Sequence, residues 1–326
     1  MDFSLMSDAP GVLKEFLGYM QTIKGKSQKT VEEYYLDLRT FFRFLKMQKG
    51  LCSKDTPFHE IPIDDVDIPL LSRVTLTDVF EYMNYTAAER ENNANTRARK
   101  SSSLRSFFRY LTNKTGQLKE NPVLELDTPK TKKALPKYLT LEQSIELLNS
   151  VDGPFKERDY CILTLFLNCG LRVSELVGLN LSDIRPDHTL RVTGKGNKER
   201  MIYLNDACLD AIKRYQAVRP VDGVKDKKAL FISHINQRMG VPGVQKMVKK
   251  YLTKIGLDGQ GYSPHKLRHT AATLMYQHGG VDIRVLKDIL GHENLGTTEI
   301  YTHLSSEQME HAADANPLSR VKQRRK

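Results

Sequence analysis

The sequence predicts a mainly α-helical protein of two domains, with one small β-hairpin in its C-terminal half. Three observations carry this. The chain has 326 residues, more than a single hydrophobic core ordinarily serves. Apolar residues recur at helical spacing through most of it, and strand-like segments are confined to one short pair. Between residues 116 and 137 the helical pattern gives way to a stretch with Pro122, Pro129, Pro136, Lys130, Lys132, Lys133 and Lys137. Its prolines keep it extended, as in a basic interdomain linker. The predicted boundaries are therefore a helical domain over 8–115, the linker over 116–137, a mixed domain over 138–312 and a basic tail over 313–326.

Lysines and arginines number 50 against 39 acidic residues, a net charge of +11. That excess favours a polyanionic partner, nucleic acid before an anionic membrane. No apolar run approaches the ~18 residues of a membrane span. The start, Met1-Asp2-Phe3-Ser4, lacks the basic and apolar regions of a signal peptide. The four cysteines, Cys52, Cys161, Cys169 and Cys208, form no Cys-x-x-Cys pair. They read as buried thiols of a cytoplasmic protein.

In the first domain Val12, Phe16 and Tyr19, then Val31, Tyr34, Leu38, Phe41 and Leu45, keep a helical period. The pattern breaks between Gly50 and Leu70 around Pro57, Pro62 and Pro69. Asp64, Asp65 and Asp67 there read as a solvated loop rather than a magnesium site. Helical character returns at Thr77–Phe80 and from Thr96 to Leu111. The latter helix carries Arg97, Arg99, Lys100, Arg105 and Arg109 with no acidic residue, beside Leu104, Phe107, Phe108 and Leu111. Its cations have no counter-charge within the helix, and phosphate contact is expected of them over a merely solvated face.

In the second domain Thr140 caps a helix through Leu148. Arg158–Cys169 is nearly all apolar and should be a buried helix running into Gly170, with Arg172, Ser174 and Glu175 just beyond. An arginine there needs a partner, and Glu175 can orient it. Leu190–Thr193 and Met201–Leu204 read as the hairpin, with Lys195 between glycines in its turn. Gly194-x-Gly196 lacks the third glycine of a nucleotide loop, since Glu199 stands there. Helices follow over Asp206–Val218 and Val241–Ile255.

Ser263 and Pro264 suit the N-cap and first position of another helix, which places His265 and Arg268 on one face of its first turn. That turn favours a bound anion. His265 and His269 could form a zinc pair, but Lys266 and Arg268 make a poor home for a dication. Neither a metal nor a cofactor is expected. A helix over Ile283–Leu290 should end at Gly291, with His292 in the following loop. Thr297 can cap a short helix bearing Tyr301, and another is plausible from Ser305. The chain closes with five cations between Arg320 and Lys326.

Taken together, His265-x-Leu267-Arg268-His269-Thr270, Leu290-Gly291-His292 and Ile300-Tyr301-Thr302-His303 resemble the C-terminal signature of the tyrosine recombinases, closest to the bacterial Xer group. The likeness extends to Gly170-Leu171-Arg172-Val173-Ser174-Glu175-Leu176, to Gly194-Lys195-Gly196-Asn197-Lys198-Glu199-Arg200, and to the basic helix through Arg105-Ser106-Phe107-Phe108. The 50–70 loop departs from the compact Xer pattern, and no contacts are carried over to it.

The resemblance implies a two-domain DNA clamp, an all-helical core-binding domain joined to an α+β catalytic domain. It implies Tyr301 as the nucleophile that forms a 3′-phosphotyrosyl bond, and His265 as its base. Arg172 and Arg268 would clamp the phosphate, Lys195 would protonate the leaving 5′-oxygen, His292 would hydrogen-bond the phosphate, and Glu175 would support the arginines. The implied partners are a double-stranded DNA recombination site, a homo- or hetero-tetramer of protomers on synapsed DNA, and an accessory activator protein. Resolution of chromosome or plasmid dimers is the expected role. A mobile-element integrase is the alternative, and a non-catalytic DNA-binding protein a more distant one.

Overall fold

The computed structural model describes residues 6–127 and 137–291. The chain divides into two compact units, residues 1–133 and 134–326. The expected linker lysines Lys130, Lys132 and Lys133, together with His292, Tyr301, the helix from Ser305 and the basic tail, lie outside the described residues.

The first unit is helical: α1 (Gly11–Thr22), α2 (Gln28–Gln48), α3 (Ile68–Leu71), α4 (Leu76–Ala88) and α5 (Ala94–Asn113). Local chemistry sets the helix starts. Ser27 and Asn93 accept from the third backbone N–H of α2 and α5, and Thr75 with Asp78 forms a reciprocal capping box on α4. Helix α2 packs against α1, α4 and α5. Aromatic rings fill the space between them. Phe16 and Phe42 meet Phe107 edge-on at centroid distances of 5.3 and 5.6 Å, and Phe41 meets Tyr82 at 5.1 Å. Edge-to-face contact suits the quadrupole of such rings.

The segment between α2 and α4 is more firmly held than a solvated loop. Ile61, Ile63 and Val66 are buried. Asp65 accepts from the buried Lys46 ammonium at 2.7 Å, and Asp67 caps α3 through the Leu70 N–H. Asp64 alone of the three aspartates keeps the expected role, exposed and capping nothing.

The second unit is built on α7 (Lys156–Cys169), buried along nearly its whole length. Around it lie α6 (Leu141–Asn149), α9 (Asp206–Val218) and α11 (Pro264–Gln277), with α8 (Val173–Gly178) following α7. The antiparallel hairpin β1 (Thr189–Thr193) and β2 (Glu199–Tyr203) pairs Thr189 with Tyr203 and Thr193 with Glu199. Helix α10 (Val241–Lys254) packs on α8, and α12 (Ile283–Leu290) lays Leu286 and Leu290 on α11 at Ala272. Cys161, Cys169 and Cys208 are buried and free, with the Cys169 and Cys208 sulfurs 3.8 Å apart.

Gly170 sets the course of the chain into α8. It ends α7 in the left-handed conformation at φ 58°, and a Cβ there would stand 2.7 Å from Leu290 Cδ2. Only glycine combines that backbone with so close an approach. The end of α12 thereby reaches the residue just before Leu171-Arg172.

Candidate active site

Helix α8 begins at Arg172, whose backbone N–H donates to Glu175 Oε2 at 2.8 Å while its Nη1 donates to Oε1 at 2.7 Å. The Glu175 side chain is only 2% exposed. Arg200, on β2, faces the same carboxylate as a fork, with Nη1 and Nη2 each 2.9 Å from one oxygen. Arg268, on the first turn of α11, stands 3.7 Å from Oε2 and is itself buried. Three guanidiniums thus surround one carboxylate, an excess of two positive charges.

Burial alone would push the Glu175 carboxyl up. The hydrogen bonds and charge of Arg200, then those of Arg172, outweigh burial and hold it below the usual carboxylate range. It is ionised at neutral pH.

The arginines also share the end of α12. Arg200 Nε donates to the Ile289 carbonyl at 2.9 Å, Arg268 Nη2 to Leu290 at 2.6 Å, and Arg172 Nη2 to Gly291 at 3.0 Å. These successive carbonyls have no acceptor role left within the helix, and that end carries the negative pole of its dipole. Arg268 Nη1 takes the Gly170 carbonyl at 2.8 Å. Arg172, with 38% of its side chain exposed, is the most open of the three cations.

His265 lies on the first turn of α11, its ring edge-on to His269 at a centroid distance of 4.5 Å. Ser263 precedes that turn in extended conformation, but its side chain makes no capping bond, and Pro264 starts the helix. Burial, followed by the charges of Arg268, Lys266 and Arg172, lowers the His265 pKa from the ordinary 6.5. The neutral imidazole, able to accept a proton, therefore persists below that pH. If His265 is the base, DNA cleavage at subsaturating protein should show an acid limb centred below 6.5, because that regime reports the free enzyme. Rate should fall as pH drops through the limb and stay level above it. A limb at or above 6.5, or one unchanged in His265→Asn, would remove His265 from the role.

Lys195 opens the hairpin turn as its first 3₁₀ residue. The turn is rooted at the same cluster, since a Cβ on Gly194 would lie 3.5 Å from Glu175 Oε1. The structure thus brings Arg172, Glu175, Arg268 and the root of the Lys195 turn together, with His265 one turn from Arg268.

The basic helix α5 is less uniform than its sequence. Lys100 is 7% exposed and donates to Asp37 at 3.2 Å, and Ser103 donates to the same carboxylate at 2.8 Å. Arg99 reaches Asp37 at 2.6 Å and Glu33 at 3.0 Å. Counter-charge absent from α5 itself comes from α2, and Lys100 is therefore withdrawn as a candidate DNA contact. Arg97 and Arg105 donate to the Asn92 and Leu126 carbonyls, while Arg109 is exposed.

Arg200 is the site residue that sequence reasoning missed. A signal for it exists. It pairs with Val192 across the hairpin, and Ile202, two residues on, is buried. A cation on the inward face of a strand requires a buried partner.

Residues 137–308 match the Phage integrase family, and residues 12–117 match the phage integrase N-terminal SAM-like domain. The chain is 56% identical to tyrosine recombinase XerC of Caldanaerobacter subterraneus subsp. tengcongensis, over 95% of this chain and 88% of that one. Among solved structures, a pre-cleavage complex of the XerH site-specific recombinase with difH substrate covers 93% of this chain and 83% of its own at TM-score 0.67 and 22% identity. The Tn1549 transposon integrase with transposon right end DNA covers 93% and 98% at TM-score 0.70 and 20% identity. The family model over residues 137–308 and the 56% identity to a tyrosine recombinase over 95% of the chain give the guanidinium cluster around its buried glutamate a family: the chain belongs to the phage integrase family and is a site-specific tyrosine recombinase.

Proposed function

We propose that this recombinase acts in the cytoplasm on a double-stranded DNA site of the Xer kind, resolving chromosome or plasmid dimers at cell division. The observation that carries the reading is the 56% identity to a XerC protein over 95% of the chain. The chain resembles both a Xer enzyme and a transposon integrase in fold, so fold does not separate the two roles. Among the described residues no helix is long and apolar enough to cross a membrane.

The chemistry begins with attack of the Tyr301 hydroxyl on a backbone phosphorus. Tyrosine ionises near pH ~10, so forming its anion at pH 7 costs about 4 kcal/mol. His265 takes the proton. Arg172 and Arg268 face the non-bridging oxygens, and their charge stabilises the pentacovalent transition state more than the ground state. The P–O bond to the 5′-oxygen breaks, Lys195 supplies that oxygen with a proton, and His292 hydrogen-bonds the phosphate. The 3′-phosphotyrosyl bond retains the energy of the phosphodiester, and a 5′-hydroxyl from the exchanging strand reverses the step.

Strand exchange joins two duplexes, which four protomers of one or two kinds would hold, with an accessory protein setting when they fire. In the N-terminal unit Arg97, Arg105 and Arg109 are the proposed phosphate contacts, and Arg99 contributes what Asp37 and Glu33 leave of its charge.

Mapping covalent protein–DNA adducts across the host genome tests the role. A Xer recombinase traps one short chromosomal locus or a plasmid resolution site. Adducts gathered at the ends of a mobile element would replace this reading with the integrase one.

A further inference from the structure

Arg200 is held in a way that separates it from the other two arginines. All three of its guanidinium nitrogens are committed: Nη1 and Nη2 to the two oxygens of Glu175, and Nε to the Ile289 carbonyl. A two-pronged pair of this kind is among the strongest matches a carboxylate has. Arg172 meets the same carboxylate with one side-chain nitrogen and keeps more than a third of its surface open. With Arg200 removed, Glu175 would be a buried anion whose nearest remaining partner is Arg172. The glutamate would then draw on the cation that faces solvent.

A second observation concerns α12. Gly291 closes that helix in the left-handed conformation at φ 64°, and a Cβ there would stand 3.2 Å from both Cδ and Nη1 of Arg200. The backbone at Gly291 therefore lies directly against the Arg200 side chain, one residue before His292. On the other side, the root of the Lys195 turn approaches Glu175 at Gly194. One side chain thus spans the hairpin and the last turn of α12.

We propose that Arg200 is a positioning residue of the cleavage centre, which neutralises Glu175 so that Arg172 and Arg268 keep their charge for the scissile phosphate, and which fixes the Lys195 hairpin to the end of α12. This rests on the cleavage chemistry proposed for Tyr301 and its partners. With all three nitrogens engaged within the protein, Arg200 is assigned no contact with DNA.

The test separates positioning from simple stabilisation. Arg200→Lys keeps the charge and the strand but loses the fork, so one ammonium cannot serve Glu175 and Ile289 together. Single-turnover adduct formation on a nicked suicide duplex is measured at saturating protein, with DNA affinity measured separately. A misplaced reacting group costs on the order of 100-fold in rate, and that loss is expected with affinity nearly unchanged. Arg200→Ala is assayed with added guanidinium ion, which should restore part of the lost rate by refilling the fork's place.

A stabilising role alone would lower the melting temperature and leave the saturated rate of Arg200→Lys at the wild-type value, and that result overturns the proposal. Loss of affinity with an unchanged saturated rate overturns it too. Should Arg200→Ala unfold, the lysine variant decides by itself. Wild-type protein runs in parallel: its adduct keeps the cleavage chemistry standing whatever the variants do, and its failure to form one would sink that chemistry and this proposal with it.

Discussion

Lys195→Ala should cut ordinary DNA far more slowly than the wild-type chain, yet cleave a substrate with sulfur at the 5′-bridging position at close to the normal rate. A 5′-alkoxide is a poor leaving group, and general acid catalysis ordinarily contributes ~10²–10⁴ in rate. A thiolate leaves without a proton, so the same substitution costs little on the sulfur substrate. The turn that carries Lys195 is rooted beside the Glu175–Arg200 pair, which places its backbone at the edge of the arginine cluster. Equal impairment on both substrates would assign the proton to another group and leave Lys195 as a backbone contact.

Much of the fold is legible in the sequence because its helix boundaries rest on local chemistry. The helix expected over Asp206–Val218 has those bounds, and the one expected over Ile283–Leu290 ends on Gly291 in the left-handed conformation. Thr140 caps α6 through a reciprocal bond with Gln143, two residues whose spacing alone announces the motif. The nearly all-apolar run before Gly170 is buried along α7, as a helix without a polar face must be.

The features that stay hidden are set by groups far apart in sequence. The cations of α5 look unopposed because their acid, Asp37, lies 63 residues before Lys100 on another helix. Its buried carboxylate fixes one lysine inward and shares an arginine, and no periodicity within α5 reports that. Asp65 similarly reads as solvated, although the ammonium that claims it comes from α2. Spacing assigns Glu175 to Arg172, three residues away. Its fork partner is Arg200, 25 residues on, across a turn whose packing the sequence does not describe. The three carbonyls at the end of α12, each taken by a different arginine, depend on the start of α8, α11 and β2 meeting at one point.

Tyr301→Phe should bind the recombination site as the wild-type chain does and form no covalent adduct. The substitution removes one oxygen and leaves the ring. Affinity should therefore hardly move. Arg172, Arg200 and Arg268 bring guanidiniums, which are not nucleophiles, and the Glu175 carboxylate is buried and engaged by them. The decisive measurement is therefore mass spectrometry of the trapped wild-type complex after proteolysis. It should find the DNA joined through its 3′-phosphate to the peptide bearing Tyr301, with a free 5′-hydroxyl on the released strand and no such peptide from Tyr301→Phe. DNA joined to a different residue, or an undiminished adduct from the phenylalanine variant, would contradict the account.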